Sequence, residues 1–225
     1  MEINDNAIPD RIRTLIAIME MCDPDVHEHT VHIRYYTELL LKAVREHGPD
    51  PTITDEQIEK IVIACALQDL GKITVPDEIL NKESTLTPQE QEIYMRHTVR
   101  GGDILDTLTE CEDQELLMYC KQICRYHHER YDGSGAPNGL KGEEIPFAAR
   151  VVSVAEVYDL LTTDHFYRKR SRPTEAYHMI ISGRAGSFSP EIIRCMQYVQ
   201  DEMLEYAFSE NIRKDQVTNK DGSKS

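Results

Sequence analysis

Apolar residues recur at helical spacing along almost the whole chain. One stripe is Ile33, Tyr36, Leu40, Ala43 and Val44; another is Ile58, Ile61, Val62 and Cys65. Leu116, Cys120 and Ile123 form a third, with Leu117 and Cys124 beside it, and Ala149, Val152 and Leu160 form a fourth. No stretch of useful length alternates as a half-buried strand would, and no segment repeats. The pattern predicts helices over 8–21, 28–46, 55–70, 88–96, 101–108, 113–128, 146–163, 173–181 and 190–206. Thr54 followed by Gln57 reads as a capping box. Thr87-Pro88 and Ser189-Pro190 place proline at the first helical position; Ile145-Pro146 does so without a good cap. Residues 131–142 are too rich in Gly, Pro and Asn to be regular, and the polar tail from Asn211 is expected to fray. The fold class is all-α, a compact bundle with no linker that would split it.

Composition narrows the function. Twenty-five Lys+Arg against 40 Asp+Glu give a formal charge of -15 over 225 residues. Such a chain is a poor ligand for nucleic-acid polymers or an anionic membrane surface, which reward clustered basic residues. No apolar run approaches the roughly 20 residues of a spanning helix, and residues 1–10 lack an apolar signal segment. A cytoplasmic location is the expectation. The six cysteines then read as small apolar residues inside helices rather than as disulfides. Cys120, Cys124 and His128 share one helix face, but one face cannot supply four tetrahedral zinc ligands.

The nine histidines change the picture. The stripe ending at Cys65 continues at helical spacing to Gln68, Asp69 and Lys72. The stripe through Ile33 extends backwards to His29 and, one turn earlier, Asp25. The paired stripes that end near Cys124 lead to His127 and His128, and Glu156 interrupts the stripe around Val152. Any one such residue is ordinarily a satisfied core group. Burying a set of them unpaired costs several kcal/mol each, so a shared cation is the economical explanation. Imidazole and carboxylate without thiolate suit Fe, Mn, Zn, Ni or Co and do not choose among them.

Three segments resemble a known family. Residues 66–82, ALQDLGKITVPDEILNK, are similar to its HDxGK motif with the following PD.IL.K. Residues 127–137, HHERYDGSGAP, match HHE.xDGxGYP, and residues 154–163, VAEVYDLLTT, match VADVYDALT. The chain is identified as a member of the HD-GYP subgroup of the HD phosphohydrolase superfamily, over about residues 24–202. That resemblance implies a helical HD-domain bundle around a central metal-site cleft holding two or three divalent transition metal ions, Fe or Mn first among them. It assigns Asp25, His29, Gln68, Asp69, His97, His127, His128 and Glu156 to the metals. Asp69 and Lys72 become the catalytic pair, with Asp69 bridging metals and Lys72 facing the scissile phosphate. Lys72, Arg168, Ala136 and Asp132 become substrate contacts.

The chain departs from the family at several of these places. Gln68 stands where the motif has His, and an amide carbonyl is a weaker ligand than imidazole. Glu156 replaces Asp, Ala136 replaces the Tyr of GYP, Asp25 replaces Glu, and His165 stands where Arg is common. The basic run 168–172 reads equally as an anion attractor and as a solvated loop, and Arg130 and Asp132 as a local brace.

Three functions stay open on these residues. The first is hydrolysis of a cyclic dinucleotide, the bacterial messenger cyclic di-GMP before others, to pGpG or GMP. The second is a catalytically impaired module that binds a nucleotide or a signalling protein, a diguanylate cyclase among them. The third is hydrolysis of another nucleotide. The expected organisation is an N-terminal helical extension over 1–22, an HD-GYP-like domain over 23–208 and a disordered tail over 209–225.

Overall fold

A computed structural model describes residues 8–22, 25–164 and 168–221, with side chains omitted at 22–26 and 217–221. The described residues are helical and loop segments, with an isolated antiparallel bridge between Asp132 and Lys141. In chain order the helices are α1 (Asp10–Cys22), α2 (Asp25–His47), α3 (Asp55–Ala64), α4 (Asp77–Leu80), α5 (Pro88–Met95) and α6 (His97–Asp106). They continue as α7 (Gln114–Tyr126), α8 (Phe147–Thr162), α9 (Pro173–Ile181), α10 (Pro190–Tyr198) and α11 (Gln200–Asp221).

Helix α8 runs through the middle. Ala148, Ala149, Val151, Val152, Val154, Ala155 and Tyr158 are all buried, so the helix is enclosed nearly all round, the mark of a core element. Helices α2, α7 and α9 pack against it, and α3 closes the far side against α2 and α7. Tyr36 of α2 meets Tyr158 edge to face, with centroids 5.0 Å apart. The caps form where the sequence places them. Thr54 Oγ1 accepts from the Gln57 main-chain amide at 3.1 Å while the Thr54 amide donates to the Gln57 side chain, and Thr87 and Glu90 do the same for α5. Each such cap stabilises its helix by about 1 kcal/mol.

Three expectations are corrected. The helix expected over 55–70 leaves α geometry at Ala64 and tightens into a 3-10 turn at Cys65–Leu67 and another at Leu70–Thr74. Asp69, between them, sits at φ −97°, ψ 11°, a sparsely used region that interrupts the helix. The helix expected from residue 101 begins at His97, because α5 passes into α6 through Arg96 without leaving right-handed geometry. The segment from residue 209, expected to be irregular, continues α11 to Asp221. The start of that helix is anchored by the buried Met203 and Ala207, and past Ala207 ion pairs take over. Arg170 reaches Asp215 at 2.7 Å, Lys214 reaches Glu28 at 3.1 Å, and Arg213 reaches Glu210 at 2.7 Å.

One contact sets the position of everything that follows. Gly71, in the second 3-10 turn, lies against the first turns of α6. A Cβ on Gly71 would stand 1.9 Å from the His97 carbonyl oxygen and 2.6 Å from the Gly101 amide. A Cβ on Gly101 would stand 2.4 Å from the Cys124 sulfur. Main chain therefore meets main chain there, and Asp69 is drawn beside His97.

Candidate metal centre

Several elements converge on one buried cluster. Helix α2 brings His29, the turns after α3 bring Gln68, Asp69 and Lys72, and the start of α6 brings His97. The end of α7 brings His127 and His128, and α8 brings Glu156. His97, His127 and His128 offer ligand atoms within 4.8 Å of one another.

The hydrogen bonds fix the tautomers. His97 Nδ1–H donates to the Tyr94 carbonyl at 2.8 Å, and His127 Nδ1–H donates to the Ile123 carbonyl at 2.9 Å. Burial, ahead of any charge effect, pushes both imidazoles down to about 4, so they are neutral near pH 7. Each Nε2 is then a bare lone pair. These two atoms face each other at 3.4 Å, and His97 Nε2 lies 3.4 Å from Asp69 Oδ1. Asp69 Oδ1 is buried and receives no hydrogen bond. Three acceptors point at one another with no proton between them.

A cation resolves that arrangement. Two donors about 2.1 Å from a common ion, at the tetrahedral angle, stand about 3.4 Å apart. The observed separations therefore fit a divalent metal, and the engaged Nδ1–H groups are the outer-shell bonds that orient ligating histidines. Burial alone would raise Asp69, but Lys72 and then His97 outweigh it and hold the carboxyl well below its usual range. Lys72 Nζ donates to Asp69 Oδ2 at 2.9 Å and lies 5.7 Å from the centre of the Tyr94 ring.

The other side of the cluster is arranged differently. His29 Nδ1–H donates to Asp159 Oδ2 at 2.5 Å, which turns Nε2 towards Gln68 Nε2 at 3.4 Å. Glu156 Oε1 is 3.8 Å from His128 Nδ1, while its Oε2 and Gln68 Oε1 are buried without partners. Burial, then the nearby Asp69, raises Glu156 to about 7.

The remaining expected residues are distributed more widely. The Asp25 side chain lies outside the described residues, as does His165. Arg168 donates to the carbonyls of Leu160 and Leu161, at the C-terminal end of α8. Asp132 is exposed and accepts from the Ser134 amide at 2.9 Å, while Arg130 donates to the carbonyls of His127 and Glu129, so the local brace between Arg130 and Asp132 is replaced by these separate bonds. The Ala136 amide donates to the His128 carbonyl at 3.2 Å, tying the loop to the histidine pair. The described cysteines are buried and unbridged, and burial raises the Cys120 and Cys124 thiols.

Two further residues carry structural weight that sequence reasoning missed. Asp159 is buried and divides its oxygens, one to His29 and one to His32 Nδ1 at 2.7 Å. Burial opposes its charge, but the bonds from His29 and His32 outweigh that and hold it ionised. The available signal was its place three residues after Glu156, on the same face of α8. Glu129 is also buried and accepts from the amides of Asn138 at 2.7 Å and Leu140 at 3.1 Å, fixing the loop that follows the histidine pair.

The centre has counterparts. The family model described as "HD domain" matches residues 17–192. The chain is 32% identical over 200 residues to a probable cyclic di-GMP phosphodiesterase of Vibrio cholerae, covering 86% of this chain and 44% of that protein. It is 31% identical over 214 residues to a cyclic di-GMP phosphodiesterase of Thermotoga maritima, covering 95% of this chain and 54% of that protein. The solved structure of Bd1817, an HDG"Y"P protein from Bdellovibrio bacteriovorus, superposes with a TM-score of 0.57 at 19% identity, over 78% of this chain and 52% of that one, a likeness of fold. The chain belongs to the HD-domain phosphohydrolase superfamily, in its HD-GYP subgroup. It spans about half the length of these curated relatives. Among the described residues, no helix is long and apolar enough to cross a membrane.

Proposed function

We propose that the domain is a metal-dependent phosphodiesterase that opens a cyclic dinucleotide, cyclic di-GMP first, to pGpG or GMP. The observation that carries this reading is the proton-free trio of His97 Nε2, His127 Nε2 and Asp69 Oδ1, with the Lys72 ammonium 2.9 Å from the other Asp69 oxygen. Relatives at about this level of identity bear that activity in their names. On this reading the domain acts in the bacterial cytoplasm on a soluble messenger.

Divalent iron or manganese, when bound, supplies Lewis acidity and lowers the pKa of water toward neutrality. His97, His127, His128 and Asp69 would hold one such ion, and His29 and Glu156, with Asp69, a second. The chain's own groups supply the rest. Asp69 carries negative charge between the two positions. Lys72, charged and tied to Asp69, is placed to offset charge developing on phosphoryl oxygens. His97 and His127 are fully buried, which keeps water from those two imidazoles, while His128 is partly exposed. Arg168 would reach the second phosphate only by leaving the carbonyls at the end of α8.

The test is turnover of cyclic di-GMP by protein prepared without oxygen and supplied with Mn or Fe, with products resolved by chromatography. Linear pGpG or GMP is the expected product. A metal-loaded protein that leaves the cyclic compound intact would overturn the reading. The contact between Gln68 and His29 favours a second reading, an impaired domain that binds a nucleotide or a diguanylate cyclase without hydrolysis. Binding of cyclic di-GMP without turnover is the outcome that would select it.

A further inference from the structure

The two halves of the cluster are not equally open to metal. In the three-histidine half, Asp69 Oδ1 has no donor, and the His97 and His127 lone pairs face only other acceptors. The protein offers nothing there to replace a cation. In the His29 half, the imidazole lone pair and one carboxylate oxygen already have a donor. Gln68 Nε2 stands 3.4 Å from His29 Nε2, and Lys72 Nζ stands 2.9 Å from Asp69 Oδ2.

The amide of Gln68 can be turned either way, and both orientations close the position to a strongly held ion. As placed, the amide N–H donates to the His29 lone pair. Turned over, Oε1 faces Nε2 and accepts from an imidazolium, or serves as a neutral carbonyl ligand. A neutral amide oxygen binds transition metals less well than imidazole. Among the described residues, Glu156 Oε2 and Gln68 Oε1 are buried without partners on this side, the acceptors a weakly held second ion would use.

We propose that the centre is asymmetric: one divalent ion is resident among His97, His127, His128 and Asp69, and the second position at His29 fills only at high free metal because Gln68 occupies it with a hydrogen bond. This rests on the reading of the cluster as a hydrolytic metal centre. It adds a mode of control to that reading, since hydrolysis would then rise with free metal beyond the first equivalent.

The experiment measures metal per chain by mass spectrometry after loading the full-length protein with Mn2+ without oxygen and desalting it. Wild type should retain about one ion, and Gln68→His about two. Gln68→Glu is the second variant, since it keeps the side-chain length and puts a charged oxygen at the same place. It should tighten the second site by roughly 10–100-fold, the scale on which ligand-shell changes act, read by competition against a fluorescent chelator. Two ions retained by wild type, or one retained by both variants, would overturn the asymmetry. No ion retained by wild type would overturn the three-histidine assignment. The phosphodiesterase reading is tested apart from this, by turnover at saturating Mn2+. Absence of turnover there, with one tight and one weak ion, sinks the hydrolytic reading and leaves the asymmetry standing.

Discussion

The two halves of the cluster answer one problem in opposite ways. Both bury imidazole and carboxylate at a depth where unpaired polar atoms are costly. Around His97 and His127 the protein turns every N–H outward to main-chain carbonyls and leaves acceptors facing acceptors, 3.4 Å apart. Around His29 it supplies donors, from Gln68 to the imidazole and from Lys72 to the carboxylate. The first arrangement is stable only with a foreign cation. The second is partly satisfied without one, with Glu156 Oε2 and Gln68 Oε1 left over. A single residue type, amide in place of imidazole at position 68, separates them.

The comparison can be broken most directly at His127. His127→Ala removes a ligand from the half that lacks donors. Retained metal should fall from about one ion per chain to near none, and hydrolysis by at least about 100-fold. If the tight ion persists, the three-histidine half is not where it sits. Lys72→Met comes next. It should lower kcat by roughly 10²–10³, as loss of a charge-stabilising donor does, while retained metal stays at one ion per chain. Metal loss alongside the lower rate would mean that Lys72 supports the fold of the site rather than the chemistry.

Asp159→Asn sharpens the comparison on the other side. It weakens the bond that orients His29, so the second ion should bind roughly 10-fold less tightly with the first ion unaffected. Equal loss at both positions would show that Asp159 braces the whole cluster. The smallest effect is expected at Glu90, an ordinary ion pair outside the centre, and it sets the scale for changes unrelated to metal. The hydrogen bonds from Lys82 and the Thr87 amide lower Glu90 to about 2. Its unfolded pKa is about 4.3, so the unfolded chain binds more protons between those values. The contribution of Glu90 is therefore present above about pH 4.3 and lost as pH falls through about 2. Melting temperatures of wild type and Glu90→Gln should differ slightly at pH 7 and converge in acid.

Much of the scaffold was legible because periodicity reports which face of a helix is apolar. The cap pairs Thr54–Gln57 and Thr87–Glu90 were legible for a local reason, since both partners lie within one turn. The break after Ala64 was not, because a stripe does not distinguish α from 3-10 hydrogen bonding. The projection of Gln68, Asp69 and Lys72 inward came out right although the backbone carrying them is not α-helical. Helix α11 was underestimated past Tyr206, where ion pairs to α2 and the 168–172 run replace apolar contacts that a stripe would record. Polar residues on apolar faces marked His29, Asp69, His127, His128 and Glu156 directly, and His97 came only with help from the family motifs. Asp159 escaped because a role defined by a partner on another helix leaves no local spacing. The hydrogen bond from Gln68 to His29 could be anticipated only as a weak ligand, since it depends on the direction of one amide.

The close contact between Gly71 and the α6 main chain also bears on how such a centre changes over time. Spacing between Asp69 and His97 is set by backbone touching backbone, with no side chain as intermediary. Ligand identity and ligand placement are therefore inherited separately. An exchange such as His for Gln at position 68 alters the chemistry and leaves the frame intact, so a lineage can lose or regain a metal position by one codon. A side chain at either glycine would instead displace ligands on two elements together, and no single later exchange would restore them.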